Sequence, residues 1–139
     1  MNNSLSRAGA LSAAALLMLL AAANAAASAV QLGGAEETPP VETAASGSGD
    51  ISVAADHTVS GGLTTKGIAG TVAHIHSGAP GQKGPPVITL TKVSDNEWTV
   101  PAGSKFSDDD YAAYKAGNLY VNVHSADHKG GEIRGQLKP

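Results

Sequence analysis

Apolar and polar positions alternate along much of the chain. Leu119, Val121 and Val123 alternate with Tyr120, Asn122 and His124, and Ile51, Val53 and Ala55 alternate with Ser52 and Ala54. A period of two sends successive side chains to opposite faces of a strand, so each run has one core-facing side. Short stretches of this kind recur, separated by glycine, proline and small polar residues. They predict strands over residues 30–33, 49–55, 58–64, 70–76, 87–91, 97–100, 119–124 and 132–137, an all-β chain. Residues 78–86, with their glycines and three prolines, read as a long loop between strands.

One helix interrupts this pattern, near residues 108–116. Ser107 is placed to cap it, and Asp108, Asp109 and Asp110 put negative charge in its first turn, where the helix dipole favours it. Gly117 stands where a C-terminal cap glycine belongs. The aspartates lack the liganding alternation and central glycine of a calcium loop, so they read as a capped surface helix.

The last two strands permit a register. With Leu119, Val121 and Val123 facing the core, Ile133 and Leu137 must face it too. A hairpin pairing Val123 with Ile133 sets Asn122 opposite Arg134 and His124 opposite Glu132. The other face then carries Tyr120, Asn122, His124, Glu132, Arg134 and Gln136, and a slip of one residue would turn them all inward. In the fourth strand, burial of Ala73 and Ile75 sends His74 and His76 together to the non-core face. Whether these two strands are neighbours does not follow from the pattern.

Composition narrows the functional classes. Residues 1–29 have the form of an export signal: one charge at Arg7, an apolar run over residues 11–23, then small residues. Cleavage after Ala29, or alternatively after Ala25, leaves a domain over residues 30–139 with no membrane span, periplasmic or secreted. The formal charge then moves from −3 to −4, because Arg7 is the leader's one charged residue. An acidic chain without a basic run excludes nucleic acid as a partner. The chain has no cysteine, so no disulfide staples the fold, and both methionines fall in the leader. No Gly-x-Ser-x-Gly elbow, phosphate loop or dinucleotide fingerprint is present.

The remaining chemistry is concentrated in histidine. Four of the five histidines, His74, His76, His124 and His128, lie in two stretches. Imidazoles at i and i+2 on a rigid strand, with His124 as a third, suit a metal site. His128 in its Asp-His-Lys turn is a further candidate ligand, and Asp127 and Glu132 could add a carboxylate or orient an imidazole. Arg134 either steers an anion near the metal or pairs with a carboxylate such as Glu132 or Glu37. Without a metal, these histidines would hydrogen-bond to Asn122, Glu132 or Arg134 and knit the strands together. His57 reads as a solvated turn residue, and Glu36-Glu-Thr-Pro-Pro40 as an extended edge segment without chemistry.

Five segments in order resemble the CHRD domain, the module named after repeats in chordin: Gly33-Gly-Ala-Glu-Glu-Thr-Pro-Pro-Val41, Gly47-Ser-Gly49, Ala73-His-Ile-His-Ser-Gly78, Gly117-Asn-Leu-Tyr-Val-Asn-Val-His124 and Gly130-Gly-Glu-Ile-Arg-Gly-Gln136. The resemblance implies an antiparallel, immunoglobulin-like, Greek-key β-sandwich related to copper–zinc superoxide dismutases, in which His74-Ile-His76 is similar to paired copper ligands. A complete two-metal site of that kind needs six histidines and the chain has five. A copper site on His74, His76, His124 and His128 stays open. With no sulfur ligand in the exported chain, copper(II) or zinc fits better than copper(I). The sequence thus points to an exported metal-binding protein for copper or, second, zinc, in metal handling or tolerance. The alternatives are a metal-free binding or adhesion module for an extracellular protein or polymer, and a copper-only, dismutase-like enzyme. A metal bridging two copies in a homodimer is also compatible with these residues.

Overall fold

The computed structural model describes residues 26–139, so the predicted leader up to Ala25 lies outside the described residues. In chain order the elements are β1 (Ala26–Gly33), a 3-10 turn (Gly34–Glu36), β2 (Ser46–Val53), β3 (Val59–Lys66), β4 (Gly70–Ser77), β5 (Pro86–Thr89), β6 (Thr91–Ser94), β7 (Glu97–Thr99), α1 (Asp108–Lys115), β8 (Leu119–Ser125) and β9 (Ile133–Gln136). All strand pairs are antiparallel, in the order β5-β4-β8-β9-β1-β2-β3-β7-β6. The expected all-β sandwich with one short helix is what the chain forms.

The two outermost strands of that order, β5 and β6, follow one another in sequence. The strand expected over 87–91 is therefore split. Its first part pairs with β4, the Leu90 N–H donates to the Ala73 carbonyl at 2.9 Å, and the chain then switches to β7. Turning at Leu90 rolls the sheet into two layers around one core. Ala73, Ile75, Leu119, Val121, Val123 and Ile133 are fully buried there, with Trp98, Phe106 and Tyr114 beside them. Pro86, expected in the loop, opens β5 on the sheet edge, where a missing N–H costs no ladder bond.

The helix forms as its caps dictate. The Asp110 N–H donates to Ser107 Oγ at 3.1 Å, and Gly117 follows the helix with φ of 78°. His57 is more than a solvated turn residue. It takes a left-handed φ of 75° and stacks its ring on Tyr111 at 4.0 Å, beside Asp108.

The β8–β9 hairpin has the expected register, with Val123 opposite Ile133, Asn122 opposite Arg134 and Tyr120 opposite Gln136. All of β8 is buried on both faces. Its polar face does not meet solvent, because the β4–β5 loop and the segment joining β1 to β2 fold over it.

Candidate metal centre

Strand β4 lies beside β8, and this pairing assembles the site. His74 stands opposite Asn122, His76 opposite Tyr120, and Val72 opposite His124. Side chains two apart on one strand share a face, so His74, His76 and His124 converge. Each offers a ring nitrogen, and the three nitrogens lie within 4.8 Å of one another. His74 Nδ1 is 3.2 Å from His124 Nε2. Nitrogens bound to one divalent ion at about 2.0–2.1 Å sit roughly 3–4 Å apart, so small ring rotations complete the set.

Main-chain carbonyls orient two of the rings. His76 Nδ1 donates to the Gly84 carbonyl at 2.9 Å, and His124 Nδ1 donates to the Lys129 carbonyl at 2.8 Å. A carbonyl only accepts, so each Nδ1 carries the proton; His124 Nε2 then accepts from His74 Nδ1, and His76 Nε2 presents a bare lone pair. His76 Nε2 is buried and has no hydrogen-bond partner. An outer hydrogen bond that fixes ring and tautomer is the arrangement metal-binding imidazoles need. The carbonyls fill the orienting role expected of Asp127 or Glu132. Asp127 is exposed on its turn. Glu132 is buried and occupied elsewhere, accepting from Ser125 Oγ at 2.7 Å and Thr43 Oγ1 at 2.8 Å.

Burial shifts the protonation of two of the three rings. It holds the pKa of both His74 and His76 below the ordinary 6.5, and the nearby imidazoles press the same way. Neutral rings are the ligating form. His76 and His124 are each 8% exposed, whereas His74 is half-buried, so the centre opens on the His74 side. His128 is half-buried in the turn after β8, outside this trio.

Arg134 forms no ion pair with Glu132 or Glu37. Its guanidinium donates to the carbonyls of Gln82 at 2.7 Å and Ala79 at 3.0 Å and to Gln136 Oε1 at 3.0 Å, and it lies 3.5 Å over the Tyr120 ring. The β4–β5 loop crosses β9 with its carbonyls turned down and takes the place of a carboxylate. Gln136 Nε2 adds a bond to the Gly78 carbonyl at 2.8 Å. The Gly84 N–H donates to Tyr120 Oη at 3.3 Å, and the Tyr120 ring stacks on His76. One hydrogen-bonded assembly thus ties the loop to His76.

Gly84 escapes sequence reasoning, and Glu37 takes a partner other than the one expected. Gly84 supplies the carbonyl that orients His76, and nothing sets it apart from the other glycines of its loop. Glu37, expected on the domain edge as a possible partner of Arg134, is buried at 6% exposure, and its Oε1 accepts from Asn122 Nδ2 at 3.4 Å. Burial raises its pKa above 4.5 against the pull of Asn122 and Arg134.

No curated protein and no solved structure shows a significant match to the chain. The sequence profile of the CHRD domain does match, over residues 28–137, which takes in every strand and loop of the candidate centre. The chain belongs to the CHRD domain family.

Proposed function

We propose that this chain is an exported protein that binds one divalent metal ion, copper(II) ahead of zinc, on His74, His76 and His124, and that it serves metal handling or tolerance outside the cytoplasm. The observation that carries the reading is the convergence of three imidazole nitrogens with two tautomers fixed by backbone carbonyls. A bare nitrogen lone pair buried without a donor, as at His76 Nε2, destabilises a metal-free site and is satisfied by a cation. Nitrogen ligands without sulfur favour copper(II) over zinc in intrinsic affinity. The reading assigns binding and no reaction.

The test is a calorimetric titration of the cleaved protein with copper(II) and with zinc, at about pH 7.5 and about pH 5. Stoichiometric uptake at the higher pH, weakened at the lower and lost in His74→Ala and His76→Ala while the circular dichroism stays native, is expected. Absence of binding at micromolar copper would overturn the reading.

A further inference from the structure

Asn122 lies on the same strand face as the three histidines of the candidate centre. It is the cross-strand partner of His74 and shares the polar face of β8 with His124, two residues on. Its side chain is 2% exposed, yet Oδ1 has no hydrogen-bond partner. Orphaned polar atoms at that depth are uncommon and call for a physical account. The other end of the amide is engaged, with Nδ2 donating to Glu37 Oε1 at 3.4 Å. Gly131 leaves room for this contact, since a Cβ there would collide with both Nδ2 and the carboxylate.

His76 Nε2 is a second buried atom without a partner. Two buried acceptors without a donor therefore stand on the polar face that β4 and β8 share. A cation on the imidazoles would satisfy His76 and leave the amide oxygen without a donor. A ligand with a proton on its binding atom can donate to Oδ1, whereas an aprotic anion sets a lone pair against it.

We infer that Asn122 Oδ1 lines the open coordination position of the three-histidine centre and determines its ligand specificity, selecting a small protic ligand such as water over an aprotic anion such as azide. This rests on the metal-binding reading above.

The test compares wild type, Asn122→Leu and Asn122→Asp, each loaded with copper(II), by titration with azide followed through the azide-to-copper absorption band. Copper stoichiometry by calorimetry and the fold by circular dichroism are recorded first. Asn122→Leu removes the acceptor at similar volume and is expected to bind azide about tenfold more tightly, the scale of one unmatched polar contact. Asn122→Asp strengthens the acceptor and is expected to bind azide about tenfold more weakly. Equal azide affinity in all three proteins overturns the inference while leaving copper binding intact. Weaker azide binding by Asn122→Leu also overturns it, because that result places Nδ2 toward the ion. Should Asn122→Leu fail to fold, Asn122→Asp decides alone, and azide affinity at or above wild type overturns the inference. Wild type that takes up no copper overturns both this inference and the metal-binding reading.

Discussion

Replacing Gly84 with alanine perturbs the centre without touching a ligand. Gly84 lies against β4 so closely that a Cβ would fall on the Ser77 carbonyl oxygen and 2.7 Å from its carbon. Carbon atoms rest at about 3.5–4.0 Å, so the loop must retreat by roughly 1–2 Å. Three hydrogen bonds stretch past their useful range: His76 Nδ1 to the Gly84 carbonyl at 2.9 Å, the Gly84 N–H to Tyr120 Oη at 3.3 Å, and the Ser77 N–H to the Pro85 carbonyl at 3.0 Å. At about 1 kcal/mol each, their loss destabilises the fold by about 2–3 kcal/mol. For a domain of this size the melting temperature then falls by about 10 °C. His76 loses the acceptor that fixes its tautomer, and copper affinity is expected to drop about 10- to 100-fold. Thermal melts in chelator and calorimetric copper titration read the two effects separately, with Lys83→Ala, an exposed change in the same loop, as control. A Gly84→Ala protein with wild-type melting temperature and wild-type copper affinity would refute the proposed coupling between loop and centre.

The remaining predictions concern pH and processing. His74 and His76 have folded pKa values below 6.5, so the stability they contribute is complete above that value and is lost as pH falls through the lowered folded values. Glu37 acts in the opposite sense, its contribution complete below 4.5 and lost as pH rises through its raised folded value. Denaturant midpoints measured in chelator should fall between about pH 7.5 and about pH 5, more steeply in Glu37→Gln, and a level midpoint in that variant would contradict the buried imidazoles. Removal of the export leader is expected after Ala25 and not after Ala29. Ala26, Ala27, Ser28 and Ala29 pair with Val53, Ser52, Ile51 and Asp50, and Ser28 Oγ donates to the Lys138 carbonyl, so a cut after Ala29 would strip half of β1. Intact mass spectrometry of the protein expressed with residues 1–25 in place decides this, and an N-terminus at Val30 would refute it.

Much of the fold is legible in the chain because strand alternation is a local property. The core-facing Leu119, Val121 and Val123, the pairing of Val123 with Ile133, and the common face of His74 and His76 all follow from a period of two. The cap at Ser107 is equally local, a side-chain oxygen three residues before the N–H it accepts from. The fifth expected strand exceeded what periodicity can tell. Its division at Leu90 depends on which strands await it on either side, and those lie elsewhere in the sequence. The Arg134 partner was misjudged for a similar reason: a carboxylate is visible as a residue type, whereas the carbonyls of Ala79 and Gln82 belong to every sequence.

An all-β chain with a capped helix, the shared face of His74 and His76, and the dense polar face behind the last hairpin are all properties of neighbouring residues. That β4 lies against β8, which carries His124 to the other two rings, and that Gly84, Lys129 and Glu37 close over that face, emerges only from the folded chain. Alternation assigns each side chain to a face by its nearest neighbours in the chain. Which faces then meet is fixed by packing the whole apolar set into one core, a condition spread over all the strands at once.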